Sequence, residues 1–514
     1  MTAASPPRFP FVLYAALFAA ALVPIAAVAI MPLDDYLNHL ARMYVLANYD
    51  DVPALQKFFA IRWAALPNLA MEIFVVPLAK LLPVALAGKI FLGLSFAALI
   101  GGVVLVNRAL SGVWSAWPAA AFLLLYNDTF LFGFQSYIMS VGVALLLFAL
   151  WIHWRERGVG LRLAAFGVGA LFLYFCHLTG FGIYGVLIGG YELSRAWALR
   201  RERGLVVPAD WAVTAAPFVV PIIVFVFFSP TADAAGRSSF GNFLDKWHYF
   251  QKATLLFDVF RNYAMTLDQA TFALVVIAVV AGLATRRLRF VPHGFVPCFL
   301  LAAVFAVLPK LLFSSDFVDD RVAVALAFVF VATTRLDRMG VAGRRLVVGA
   351  VAALFVVRIA AITVTWQDYN RDYAAYLKLL EQMPEGQVLG GVVAFEGSSW
   401  QRRRPPLYHF LNQATITRHA FYPTIFAQRA QQPMALKPPY DVIGQTQKEL
   451  MSLRTGGPLG AEPLAAAPFE YDRLKQFDYL FVFREHLVKA PRPGFMVRVG
   501  GGDDYTLYRI ERRP

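Results

Sequence analysis

Apolar runs of bilayer-spanning length recur along the first 365 residues of this 514-residue chain, more than a soluble core could hide. A helix needs about 20 apolar residues to cross the hydrocarbon of a bilayer. About eleven stretches approach that length: residues 11–31, 87–106, 113–126, 130–152, 161–176, 178–194, 211–229, 270–284, 294–313, 322–334 and 346–364. Composition agrees, with 59% hydrophobic and only 16% charged residues, against roughly 25% charged in an average soluble domain. The first run ends in Ala27, Val28 and Ala29, which resemble a signal-cleavage site. It is longer than the usual apolar region of about 7–15 residues, so it is expected to remain as an anchor. A net charge of +14 points to nucleic acid only where the basic residues cluster. Here they are scattered between apolar runs, and no nucleic-acid partner is expected. Cys176 and Cys298 both lie in apolar runs, and no spaced Cys/His set offers a zinc cage or a disulfide framework.

Short cytoplasmic loops are enriched in Lys and Arg. With the N-terminus inside, Arg108, the groups at 155–162, 195–203, 286–289 and 335–345 all fall on inner loops, while the turns at 127–129 and near His177 carry no Lys or Arg. This parity predicts a multi-pass protein of the plasma (inner) membrane with a cytoplasmic N-terminus. It places residues 33–86, 230–269, 310–321 and everything after 364 outside. The run from Pro67 to Leu82 is then expected to lie along the surface, because a crossing there would invert every later basic loop.

After Trp366 charges, Pro and Gln appear and the apolar runs shorten to strand length. Residues 369–383 have helical periodicity, 387–395, 478–483, 494–499 and 505–511 read as strands, and 397–470 is loop-rich. Two units are therefore expected: an all-α polytopic membrane bundle over 1–365, including the outer loop 33–86, and a small α/β extracytoplasmic domain over 366–514. The run Arg402, Arg403 and Arg404 reads as a solvated basic turn or as a contact to anionic lipid or lipid-linked phosphate.

Immediately after the first run comes MPLDDYLNHLARMYVLANY, residues 31–49. A helix starting near Asp35 sets Asp35, Asn38, His39 and Arg42 at i, i+3, i+4 and i+7 on one face. That face combines a base, an imidazole and a cation. An equally available reading is that Asp34 or Asp35 caps the helix. Three more polar clusters fall on the same expected outer side: Tyr126, Asn127 and Asp128; His177 and Thr179; and KLLFSSDFVDDR, which brings Lys310, Asp316, Asp319, Asp320 and Arg321. Ionisable groups at membrane depth cost several kcal/mol unless they face water or partners. Each cluster alone reads as readily as a wet turn, and it is their convergence on one side that marks a candidate site.

An acidic pair in the first outer loop of a polytopic chain with an external C-terminal domain resembles the GT-C superfamily of glycosyltransferases. This superfamily includes protein O-mannosyltransferases, oligosaccharyltransferase subunits and bacterial aminoarabinose transferases. Asp34 and Asp35 match the two-aspartate form of its loop motif. The helix from Pro67 with Asn68, the Asp128 turn, and VDDRVAVALAFVFVA at 318–332 are further similarities. Val322 replaces a common aromatic, and a single proline near 67 replaces the usual pair. The resemblance implies a polyprenyl-phosphate-linked sugar as donor, with Arg321, then Lys310 and Arg42, on the lipid phosphate. It implies Asp35 or Asp34 as the base, and Asp128, His39 or His177 orienting an acceptor glycan, lipid or protein. Some members use a divalent cation, and no metal ligand is assigned here. Two other classes share many of these features: a transporter or flippase for a lipid-linked or polar solute, and a non-catalytic assembly factor for envelope polysaccharide. No inverted repeat is found, and the most hydrophobic runs lack central charges, which speaks against transport.

Overall fold

The computed structural model describes residues 10–203, 208–234, 238–240, 246, 265–312, 315–394, 406–452, 471–487 and 492–512. The Arg402 to Arg404 run lies outside these residues. Helices follow the apolar runs because in hydrocarbon each backbone N–H and C=O must find a partner within its own segment. In chain order the first are α1 (Phe11–Ala27), α2 (Tyr36–Asn48), α3 (Pro53–Phe58), α4 (Ala70–Ala79), α5 (Val84–Ser111), α6 (Asp128–Phe132), α7 (Gln135–His153) and α8 (Val159–Cys176). They continue with α9 (Leu178–Arg203), α10 (Pro208–Phe228), α11 (Met265–Ala284), α12 (Phe295–Val307), α13 (Val318–Thr333) and α14 (Val341–Leu380). The C-terminal domain adds α15 (Gln413–Arg418) and α16 (Tyr440–Ser452).

Six described helices are long and apolar enough to cross a membrane, fewer than the eleven expected. The run at 113–126 forms instead a 3₁₀ segment, Trp117–Leu124. Eight residues at about 2 Å each reach roughly 16 Å, about half of the hydrocarbon thickness. The run at 130–152 breaks at Gly133, whose φ of +105° ends α6 before α7 begins. At 67–82 the ten residues of α4 are too short to span, and Met71, Glu72 and Val75 are buried in the bundle. Apolar side chains on α10, α11 and α14, such as Val220, Phe227, Ile277 and Val357, are left exposed, as lipid contact requires.

The bundle is tightest between α5 and α7. A Cβ on Gly102 would stand 2.6 Å from Leu145 Cβ, and one on Gly142 would stand 2.7 Å from Ala98 Cβ. Small residues at a crossing let helix backbones approach in a medium that supplies no hydrophobic drive. The spans are also less free of charge than the sequence suggested. Arg358, inside α14, is buried against Asp268 of α11 at 3.4 Å and donates to the Leu123 carbonyl at 2.7 Å.

The boundary expected at residue 365 is not a break, since α14 runs unbroken through it into the C-terminal domain. Within the bundle, β2 (Leu288–Phe290) pairs antiparallel with β3 (Thr334–Leu336). In the C-terminal domain β4 (Leu389–Val393), β6 (Tyr479–Phe483), β7 (Met496–Gly501) and β8 (Tyr505–Ile510) form one sheet in the order β4-β6-β8-β7. β4 and β6 run parallel and the other neighbours antiparallel. The first loop joins this domain: β1 (Phe59–Ile61) pairs antiparallel with β5 (Met434–Leu436). Ala41, Val45, Leu55 and Phe58 share a core with Val388, Phe421, Phe477 and Leu480. Loop 33–86, counted with the bundle from the sequence, thus packs apolar residues on both the bundle and this domain.

Candidate functional site

The acidic pair is held by its backbone. Asp34 N–H donates to the Leu131 carbonyl at 3.2 Å and Asp35 N–H to the Phe132 carbonyl at 2.8 Å. This is possible because Gly133 follows: a Cβ there would stand 2.6 Å from Tyr36 N and 2.9 Å from Asp35 Cβ. Asp128 opens the same short helix and is buried, with Asn127 capping α6 through Oδ1 to Phe130 N–H at 3.0 Å.

Asp35 occupies the N-cap position of α2, yet its side chain makes no capping hydrogen bond. Its Oδ1 instead lies 3.4 Å from His409 Nε2, a group of the C-terminal domain. The two aspartates address different surroundings. Asp35, after Asp320, acts electrostatically on Arg321, and Asp34 acts on Tyr373 of α14.

The expected polar face of α2 forms, but it is dispersed among partners rather than open to water. Asn38 accepts from Phe426 N–H at 2.7 Å and donates to the Thr424 carbonyl at 2.6 Å. His39 packs edge-on to Phe426, with ring centroids 5.3 Å apart. Burial, then the Arg42 charge and His409, hold the His39 imidazole well below its usual range, so it is uncharged at neutral pH. Arg42 is spent on α4: its Nε and Nη2 donate to Glu72 Oε1 at 3.0 and 2.7 Å, with both side chains almost fully buried. Arg42, expected on the phosphate, thus has its charge paired in place, with Nη1 buried and without a hydrogen-bond partner.

Arg321 stands one turn into α13, after Phe317, which adopts the left-handed conformation (φ 59°). Phe317 is packed against Phe132 at 5.3 Å and Phe134 at 6.4 Å, which holds that turn. The Arg321 guanidinium lies 4.4 Å over the Phe134 ring, its Nη1 donates to Ser315 Oγ at 2.9 Å, and its Nε is buried with no hydrogen-bond partner. Lys310 Nζ sits 5.3 Å over Phe317. Asp319 is taken by Lys246 at 2.9 Å, while Asp320, the other acid expected to pair with Arg321, acts on it electrostatically. Tyr137 donates its hydroxyl to the Arg321 backbone carbonyl, and the His177 ring packs edge-on against Tyr137 at 5.5 Å. His177 Nδ1 accepts from Thr179 N–H at 3.1 Å, leaving Nε2 to carry the proton, and Arg321 acts on the ring electrostatically. His177 thus stands with the cation rather than beside the aspartates.

Asp35, Asp128, His177, Lys310 and Arg321 therefore gather around α6, the start of α13 and the turn between α8 and α9. His409, Ser315, Phe134 and Glu72 were not singled out from the sequence. Only Ser315, inside the quoted 310–321 segment, had a local signal. Among the described residues no three His, Cys, Asp or Glu side chains stand close enough to hold a metal ion.

Two solved structures match over nearly the whole chain. One is the crystal structure of ArnT from Cupriavidus metallidurans in the apo state, with a TM-score of 0.54, 13% identity and 97% of each chain covered. The other is ArnT from the same organism bound to undecaprenyl phosphate, with a TM-score of 0.50, 14% identity and again 97% of each chain. At such identity the likeness shows the fold alone: a polytopic helical bundle with a small C-terminal domain, as expected from the sequence. No family model and no curated protein matches the chain.

Proposed function

We propose that this protein is a membrane glycosyltransferase that moves a sugar from a polyprenyl-phosphate-linked donor to an acceptor at the end of the bundle covered by the C-terminal domain. The observation that carries the reading is Arg321, a buried guanidinium held over Phe134 with its Nε unpartnered and within electrostatic reach of Asp35, whose side chain is 15% exposed. An Arg held by an aromatic ring presents a planar fork suited to phosphate oxygens. A ligand of the same chemical kind, undecaprenyl phosphate, is bound to the ArnT of the second matching structure.

The chemistry follows from the two groups. Asp35 takes the proton of the acceptor hydroxyl or amine as that atom attacks the anomeric carbon. The bond from that carbon to the phosphate oxygen breaks, and polyprenyl phosphate leaves with the electron pair. Direct displacement inverts the anomeric centre. Arg321 stabilises the charge gathering on the phosphate, with His177 Nε2–H and Lys310 as further donors. Asp128 and His39 line the base side, His39 as a neutral ring.

Purified protein in vesicles, offered a panel of polyprenyl-phosphate sugars with membrane-extracted acceptors, is expected to release polyprenyl phosphate in step with transfer. Movement of labelled lipid across the bilayer without transfer would favour a transporter. Arg321→Lys keeps the charge and loses the fork, so donor KM should rise by about tenfold with acceptor KM within about twofold. An equal rise for both substrates would remove Arg321 from the phosphate.

The domain-covered end faces the periplasm or exterior in this reading, as the arginine-rich loops require. Cysteines placed at the exposed positions Glu156 and Asp503 test it, because the native Cys176 and Cys298 are buried. An impermeant maleimide should label position 503 in intact cells and position 156 only after permeabilisation. The reverse pattern would overturn the orientation.

A further inference from the structure

We infer that His409, carried by the C-terminal domain, is a positioning residue for Asp35, so that the reaction centre is shared between the membrane bundle and that domain. The inference rests on the transferase reading above and adds to it the residue that orients the base. His409 is buried, and its Nε2 lies 3.4 Å from Asp35 Oδ1. That contact is longer than a mature hydrogen bond, and catalytic contacts often tighten only when substrate binds.

The proton on His409 is placed by its surroundings. Phe426 N–H donates to Asn38 Oδ1 at 2.7 Å, which fixes which end of that amide is oxygen. Asn38 Nδ2 then faces the Thr424 carbonyl at 2.6 Å and His409 Nδ1 at 2.9 Å. An amide nitrogen only donates, so Nδ1 must accept and the ring proton must sit on Nε2, aimed at Asp35. Thr424 Oγ1 lies 3.2 Å from the same Nδ1 and accepts from Asn412 Nδ2 at 3.0 Å.

With Nδ1 accepting from Asn38 Nδ2, His409 presents the N–H of Nε2 to Asp35. It holds Oδ1 by an N–H and leaves Oδ2 for the acceptor. During transfer the acceptor proton passes to Oδ2, the donor phosphate leaves with its bonding pair, and the His409 N–H stays in place. The ring cannot swing away, because Tyr408 and Phe426 pack edge-on against it with centroids 4.6 and 5.2 Å distant.

The test uses the full-length protein in vesicles and the polyprenyl-phosphate sugar that the parental protein turns over. His409→Phe keeps the ring packing and removes the N–H. Its kcat should fall about 10- to 100-fold with donor KM within about twofold. His409→Gln restores a donor and should recover kcat to within about fivefold of the parent. If the Phe variant does not fold, His409→Ala with added imidazole takes its place, and turnover rising with imidazole is the expected result. Parental kcat in the Phe variant, no recovery by Gln, or no response to imidazole would overturn the inference alone. Absence of turnover in the parental protein would remove the transferase reading, and this inference with it.

Discussion

Asp35→Asn is expected to lower sugar transfer by about 10²- to 10⁴-fold while donor binding and thermal stability stay at the parental level. Asn keeps the size of the side chain and an oxygen for the His409 N–H, but it cannot take a proton. A residue that merely capped α2 would behave differently, since Asn caps as well as Asp does. The geometry favours the base: Asp35 stands at the cap position without a capping bond, and its Oδ1 lies 3.4 Å from His409 Nε2. Asp34→Asn should cost less than about tenfold, because it is Asp35 whose Oδ1 faces His409. Turnover, donor affinity and melting of both variants check the prediction. Parental turnover in Asp35→Asn would remove the base from the mechanism.

Breaking the pair between Arg42 and Glu72 is expected to produce the largest loss of stability. Their side chains are 2% and 1% exposed. Removing one partner from such a pair leaves an uncompensated buried charge, a penalty of about 3–5 kcal/mol. Arg42→Met should therefore melt far below the parent or fail to accumulate. The pair is also incompletely satisfied, because Arg42 Nη1 and Glu72 Oε2 are buried without hydrogen-bond partners. Replacing both residues by Met should then recover most of the stability, since apolar packing of similar volume avoids both desolvation costs. Melting curves of the two single variants and the double variant measure this. A double variant that folds but loses donor affinity would return Arg42 to the phosphate site.

Much of the fold was legible because the relevant signals are local. The four strands of the C-terminal sheet fall within a few residues of the runs read from alternation and turn chemistry, and the long apolar helices follow hydropathy. Trp117–Leu124 was misread because apolarity does not tell a span from a buried connector, and only the missing length does. The candidate site was legible as residue types in loops. Asp35, Asp128, His177, Lys310 and Arg321 could be named, but not who faces whom. Arg42 looked like a free cation because its partner lies 30 residues away on another helix. His409 was invisible for a stronger reason: 371 residues separate it from Asn38, and nothing in the intervening pattern encodes that contact.

That separation sets an order of events at the ribosome. Asp35 and the apolar residues of α2 and β1 emerge early, while β5 and His409 arrive only when most of the chain has been made. Until then Phe58 and Phe59, fully covered in the finished protein, lack Phe421, one of the rings that close over them. Exposed apolar surface beside an unpaired strand edge is what chaperones and proteases recognise. A chain halted before residue 409 would thus leave Asp35 without His409 and Phe58 and Phe59 without Phe421, with the exposed apolar edge that marks a chain for removal.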